Sequence, residues 1–155
     1  MTDDVAAIHA LKYRYLRTLD LKRWDEFADT LCEDIQASYG SHAGDQELTF
    51  SGRQAVVDYM SNAMGTFLTS VHSCSHPEIE VFGDEAVGTW LLQDVVLIPS
   101  KKFELRGASY YRDRYRREDG VWRIAETGYE RIYETVMSYE GQDSYTVLAN
   151  MWDEV

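Results

Sequence analysis

Apolar residues recur every three or four positions in the first part of the chain, the spacing of one face of an α-helix. The first stripe consists of Val5, Ile8, Leu11, Tyr15, Leu16 and Leu19. A second helix is predicted from Leu21 to Leu31, and a third from Arg53 to Met64. Between them, Ile35 to Tyr39 reads as a short strand followed by a turn-rich loop.

From Val71 onward the apolar period changes to two, which is typical of β-strands with one buried face. Strands are predicted over residues 69–82, 86–98, 102–117 and 121–133. Gly83-Asp84 and Asp119-Gly120 separate them and are typical of hairpin turns. The pattern therefore predicts an antiparallel meander. Three helices followed by such a sheet predict one α+β domain over residues 1–155, with the curved sheet wrapping the helices around a conical cavity.

Two positions of the predicted strands carry polar residues where apolar ones are expected. His72 lies on a half-buried strand, and Asp94 shares its strand face with Trp90 and Leu92. A carboxylate on an apolar face is costly unless it is paired. A partner or a functional role is therefore expected for Asp94, whereas a lone histidine such as His72 is also compatible with a packed core residue.

Composition excludes several classes of function. The formal net charge of −12 argues against binding to a phosphate backbone or an anionic membrane surface. No stretch approaches the length of a membrane helix, and the acidic N-terminus is unlike a targeting peptide, so a cytoplasmic protein is expected. The spacing of Cys32 and Cys74 does not match a metal motif, so free thiols and no metal site are expected.

Motifs along nearly the whole chain resemble the nuclear transport factor 2-like superfamily in its SnoaL-like branch. This branch also holds scytalone dehydratase, bile-acid 7α-dehydratase and hexachlorocyclohexane dehydrochlorinase. The matching segments are Arg14-Tyr15, Leu19-Asp20, Trp24-Asp25, Gly52, Val71-His72, residues 83–88, residues 107–115 and residues 117–124. The resemblance implies a cone-shaped α+β barrel, with three N-terminal helices packed in a curved, largely antiparallel sheet. Most of these segments specify the fold rather than a reaction.

The resemblance also implies roles for individual residues. Asp20 and His72 match a pair in which the carboxylate orients the imidazole and the imidazole takes a proton from carbon. Arg131 matches a late-strand arginine that stabilises a leaving group or a carboxylate, and Asp94 matches a cavity position held by His or Asp. The expected substrate-binding residues are Tyr15, Tyr39, Met60, Trp90 and Tyr111. For Met60, Trp90 and Tyr111, a place in the core is the simpler alternative, and for Asp20 the alternative is an N-cap of the second helix.

These roles lead to the hypothesis of a cofactor-independent lyase, dehydratase or isomerase. It would act on a small apolar cyclic substrate, such as a steroid-, polyketide- or aromatic-like compound, inside an enclosed pocket. A polyketide-cyclase-type enzyme and a non-catalytic ligand-binding or assembly module are the alternatives. The resemblance implies a homo-oligomer, a dimer or a trimer, and the acidic segment from residue 134 to 155 is expected to close the cavity mouth or to cover a neighbouring subunit.

Overall fold

The computed structural model describes residues 2–40 and 48–152, with side chains from residue 4 onward. Most of the loop predicted after Tyr39 lies outside the described residues. The helices and strands are α1 (Thr2–Asp20), α2 (Trp24–Asp29), β1 (Leu31–Tyr39), β2 (Leu48–Ser51), α3 (Arg53–Ala63), β3 (Thr69–Phe82), β4 (Glu85–Ile98), β5 (Phe103–Glu118) and β6 (Val121–Ser138).

The predicted meander is present and forms two thirds of one mixed sheet. Strands β3, β4, β5 and β6 pair antiparallel in chain order, and β1 adds to β6 in parallel. The strand order is β2-β1-β6-β5-β4-β3, so the sheet of the described chain is not closed and has β2 and β3 at its edges. The helices pack against this curved sheet, which confirms the α+β class and the cone-shaped arrangement.

The second helix is shorter than predicted. Lys22 takes a left-handed conformation with φ 56°, which interrupts the helix after α1, and α2 begins only at Trp24. Leu31, predicted on the helix, is the first residue of β1. Asp20 is the last residue of α1, and Arg23 occupies the N-cap position of α2 without a side-chain cap. The N-cap alternative for Asp20 is therefore wrong.

The apolar stripe of α1 lies in the core, as its spacing predicts. Ile8 and Tyr15 are fully buried, and the core extends across the sheet to residues that include Trp90 and Ile124. On β5, Tyr111 and Tyr115 are buried whereas Arg112 and Arg114 are exposed, so these arginines lie on the solvated face of the sheet. None of the described helices is long and apolar enough to cross a lipid bilayer.

A buried ion pair joins α1 to the sheet. Lys12 Nζ lies 2.7 Å from Asp113 Oδ2, and both side chains are 0% exposed. Asp113 also accepts hydrogen bonds from the hydroxyl groups of Tyr115 and Thr127, at 2.8 and 2.7 Å. Burial lowers the pKa of Lys12, and Asp113 opposes this shift. The core therefore contains one positive and one negative charge that are in direct contact with each other.

Removal of one charge should therefore destabilise the fold more than removal of both. We expect Lys12→Met to lower the free energy of unfolding by about 3–5 kcal/mol, because Asp113 keeps its charge in the core without a cation. The double variant Lys12→Met/Asp113→Asn should be more stable than Lys12→Met alone. Urea denaturation measures both values, with Lys101→Met as the exposed control. A Lys12→Met protein as stable as the wild type would contradict this assignment.

Candidate active site

The carboxylate of Asp20 is bound by three donors from β3. Its Oδ1 accepts hydrogen bonds from Ser70 Oγ at 2.8 Å and from His72 Nδ1 at 2.6 Å. Its Oδ2 accepts a hydrogen bond from the backbone N–H of His72 at 2.8 Å. Strand β3 therefore fixes both oxygens of the carboxylate, and the last residue of α1 is attached to the edge of the sheet.

This contact also determines which nitrogen of His72 can act as a base. An ionised carboxylate only accepts hydrogen bonds, so the proton of the neutral imidazole lies on Nδ1. Within the described residues, Nε2 has no hydrogen-bond partner. The side chains of His72 and Asp20 are 11% and 17% exposed. Nε2 therefore carries a lone pair at a position that a small molecule can approach.

A pocket of about 440 Å³ lies beside this pair, between α1 and the edge strand β3. Its volume is within the range of small-molecule sites. Among the residues predicted from the resemblance, Asp20 and His72 line it. The other lining residues are Tyr13, Leu16, Arg17, Leu21, Ser73 and Cys74. Apart from Arg17 and the Asp20–His72 pair, the side chains at its wall are uncharged and largely apolar.

Asp94 has the buried partner that its strand face requires. Arg131 Nη1 and Nη2 bind the two carboxylate oxygens of Asp94 at 2.5 and 3.1 Å, and both side chains are at most 7% exposed. Arg131 Nη1 also donates to Ser109 Oγ at 3.2 Å, and Nε lies 3.0 Å from Glu134 Oε2. The guanidinium predicted to stabilise a leaving group is therefore already neutralised by carboxylates.

Gly107 provides the space for this ion pair. A methyl group at its Cα would lie 2.9 Å from Arg131 Cζ and 3.1 Å from Asp94 Oδ1. Asp94 pairs with Gly107 on one side and with His72 on the other in the register of the sheet. The Asp94–Arg131 pair therefore lies next to the histidine on the neighbouring strand, on the same inner face.

Tyr15 and Tyr39 form a hydrogen-bonded pair in the core. Their hydroxyl oxygens are 2.7 Å apart, so one hydroxyl donates to the other and one proton stays available to a third group. Burial raises the pKa of both phenols well above the ordinary value, and the neighbouring Tyr39 raises that of Tyr15 further. Both stay protonated and can act only as neutral hydrogen-bonding groups.

The remaining predicted ligand contacts are packed inside the core. Met60 and Tyr111 are buried, and the ring of Tyr111 lies 3.5 Å from Lys12 Nζ. Trp90 is fully buried, and its Nε1 donates to the hydroxyl of Tyr115 at 2.9 Å. None of these three residues lines the pocket beside His72, so a contact of any of them with a substrate stays a prediction.

The C-terminal segment contacts the end of the sheet at which β3 and β5 begin. Residues up to Ser138 continue β6, beyond the predicted strand end. The hydroxyl of Tyr145 then donates to Glu104 on β5, and Thr69, the first residue of β3, donates to Asn150. Trp152 places its ring 5.0 Å from Lys22 Nζ, just after α1. Residues 139–152 therefore connect β5, β3 and the α1–α2 turn, but none of them lines the pocket beside His72. Their expected role, closing the cavity mouth or covering a neighbouring subunit, stays a prediction.

One group of described residues has the composition of a metal site but is already occupied by a cation. The ligand atoms of Cys32, Asp34 and Glu118 lie within 4.8 Å of one another. Arg116 binds Glu118 Oε1 at 2.7 Å and also binds Asp34. Burial raises the pKa of the Cys32 thiol to about 11, so the thiol stays protonated. A guanidinium bound to both carboxylates and a neutral thiol do not fit a metal ion.

The sequence analysis did not identify Ser70 at the site or the ion pair of Lys12 and Asp113 in the core. Ser70 has the strand parity of His72, but a serine on a strand carries no signal of its own. Lys12 follows Ile8 and precedes Leu16 at intervals of four residues, and Asp113 shares the parity of Tyr111. A charge on each of two apolar faces is the signal from which their pairing could have been predicted.

Residues 1–128 match the family model described as SnoaL-like domain. The chain therefore belongs to the SnoaL-like domain family, as its motifs suggest.

Solved structures with the same fold have diverse descriptions. A putative scytalone dehydratase from Novosphingobium aromaticivorans is 22% identical, with a TM-score of 0.77 over 87% of this chain and 91% of that chain. Hexachlorocyclohexane dehydrochlorinase LinA type 3 from Novosphingobium barchaimii is 20% identical, with a TM-score of 0.75 over 88% and 91%. A protein of unknown function from Mycobacterium tuberculosis is 24% identical, with a TM-score of 0.69 over 83% and 71%. At these identities the similarity shows the fold.

The contact with Asp20 predicts one tautomer of His72. In the neutral ring the proton should lie on Nδ1, and Asp20→Asn should move it to Nε2 in at least part of the molecules, because the asparagine amide can donate to Nδ1. Nitrogen-15 NMR of histidine-labelled protein, at a pH where the ring is neutral, distinguishes the two forms. A wild-type His72 protonated on Nε2 would contradict the assignment.

Proposed function

We propose that this SnoaL-like protein is a cofactor-independent lyase or isomerase in which His72 removes a proton from carbon. The observation that carries this proposal is the 2.6 Å contact between Asp20 Oδ1 and His72 Nδ1 at the wall of a pocket. Here one nitrogen is held by a carboxylate, and the other has no partner among the described residues.

The substrate is a small, largely apolar cyclic compound with an acidic C–H bond next to an activating group. In an elimination, Nε2 takes the proton of the carbon and the C–H electron pair forms the new double bond. The C–O bond to the leaving hydroxyl group breaks, and the imidazolium of His72 gives the proton on Nε2 to that oxygen, so that water leaves and the imidazole is neutral again. In an isomerisation, the proton returns to another carbon of the substrate. Asp20 stabilises the imidazolium that forms after proton transfer.

Tyr15 and Tyr39 do not line the pocket beside His72, so a hydrogen bond from either hydroxyl group to the substrate oxygen on which negative charge develops stays a prediction. Arg131 would act there only if that oxygen competed with Asp94 for the guanidinium. We therefore place Asp94 and Arg131 next to the reaction as a pair that holds β4 and β6 in position beside His72. Their predicted catalytic roles stay predictions, as does the homo-oligomer implied by the resemblance.

The dehydratase and dehydrochlorinase descriptions of the similar structures support a lyase. A non-catalytic module on this scaffold would not require Asp20 to face His72. A solvent-facing Asp20, or a separation beyond hydrogen-bond reach, would have favoured that alternative. The three donors around Asp20 instead support a carboxylate that is held against β3, where it orients the imidazole.

Proton abstraction can be measured without the natural substrate. A panel of cyclic ketones such as 2-indanone, incubated in D₂O, should exchange the protons next to the carbonyl, as followed by proton NMR. We expect His72→Asn to lower the protein-dependent exchange rate by roughly 10²-fold or more, because asparagine can still donate to Asp20 but lacks the basic Nε2. Asp20→Asn should lower it by roughly 10-fold through loss of the correct tautomer.

His76→Asn is the matched control, because His76 is exposed on the same strand and bonds only to its neighbour Ser75 among the described residues. Its exchange rate should equal that of the wild type. Exchange by His72→Asn at the wild-type rate, or no protein-dependent exchange with any ketone of the panel, would contradict the proposal.

A further inference from the structure

Arg17 is the one cationic residue among those that line the pocket beside His72. It lies on α1 three residues before Asp20, and its side chain is 49% exposed. The rest of the wall consists of apolar or uncharged side chains and the Asp20–His72 pair. A ligand in this pocket would therefore meet an apolar surface with a guanidinium at one side.

Arg17 forms only a weak ion pair, with Glu26. Arg17 Nη2 lies 3.7 Å from Glu26 Oε2, which is longer than a hydrogen bond. Glu26 has a second cation, since Arg23 Nη1 lies 3.2 Å from its Oε1. Loss of Arg17 would thus leave Glu26 with a partner. The guanidinium already faces a carboxylate and can exchange it for another at little cost.

The carboxylate of Asp20 keeps its own negative charge in this pocket, but it is bound to β3 and forms no ion pair with Arg17 among the described residues. Its two oxygens accept hydrogen bonds from Ser70 Oγ, the His72 backbone N–H and His72 Nδ1. The formal net charge of the whole chain is −12, so an anion approaching the protein is repelled except where a cation acts locally. Arg17 supplies that cation at the pocket, and its planar fork matches a carboxylate in a bidentate geometry.

We propose that the substrate of this site carries a carboxylate group, which Arg17 binds while the apolar ring lies against Leu16, Leu21 and Cys74. The inference rests on the proposed function, since it takes the pocket beside His72 as the substrate site. It narrows the substrate class from apolar cyclic compounds to ring compounds with one anionic substituent. Arg17 is then a specificity-determining residue rather than a catalytic one.

Two probes of nearly equal size separate charge from shape. The carboxylate 2-naphthoate and the neutral 2-naphthamide share one ring system, and isothermal titration calorimetry at low salt gives the Kd of each. The wild type should bind 2-naphthoate about 10-fold more tightly than the amide, as expected for one charge-assisted contact. Arg17→Gln should remove this preference and leave the Kd of the amide nearly unchanged.

Arg23→Gln is the matched control, because Arg23 contacts the same Glu26 but does not line the pocket. It should keep the full preference for the carboxylate. Amide shifts of Leu16, Leu21 and His72 in the NMR spectrum should locate the probe in the pocket. Equal Kd values of the two probes in the wild type, an unchanged preference in Arg17→Gln, or binding away from these residues would overturn the proposal.

The outcome is independent of catalysis. His72→Asn, which removes the proposed base, should keep the preference for 2-naphthoate, because the preference comes from Arg17. A lost preference in Arg17→Gln with unaffected ketone exchange in His72→Asn would refute the proton-abstraction mechanism alone. A retained preference in Arg17→Gln with abolished exchange in His72→Asn would refute only the proposal that Arg17 binds a carboxylate group of the substrate.

Discussion

The attachment of the Asp20 carboxylate to β3 is the interaction on which the site depends. Three donors from Ser70 and His72 hold one side chain at the end of α1. The same contact joins the longest helix to an edge strand, orients the imidazole and borders the pocket. A helix end and a strand edge both offer polar groups without partners inside their own element, so their meeting satisfies a structural need and also forms a base.

The interior around this site contains buried charged side chains, each in contact with a group of opposite charge. Lys12 and Asp113 join α1 to β5, and Arg131 and Asp94 join β6 to β4 across the intervening strand β5. Pairs of this kind add little net stability compared with apolar packing, but a single unpaired member would be strongly destabilising. We interpret them as constraints on the register of α1, β4, β5 and β6, which in turn fix the position of His72.

Most of the architecture could be predicted from the apolar periods, whereas the part of the sheet beyond β6 and the site could not. The change from helical to alternating spacing predicted α1, α3 and the meander, since each depends on local sequence. The parallel pairing of β1 with β6 is non-local, and β2 has four residues, so neither leaves a clear pattern. Strand parity identified His72 and Asp94 as anomalies, but the partner of His72 came from family resemblance. Arg17 lies outside the apolar stripe of α1, so the pattern predicts an ordinary solvent-exposed residue there.

The central claim is that Asp20 and His72 act as one unit in proton transfer. A double-mutant cycle on the ketone exchange rate tests it most directly, with Asp20→Asn, His72→Asn and the double variant compared under one set of conditions. If Asp20 acts only through His72, the double variant should lose no more activity than His72→Asn alone. Losses that multiply in the double variant would show that the two residues act independently and would contradict the account.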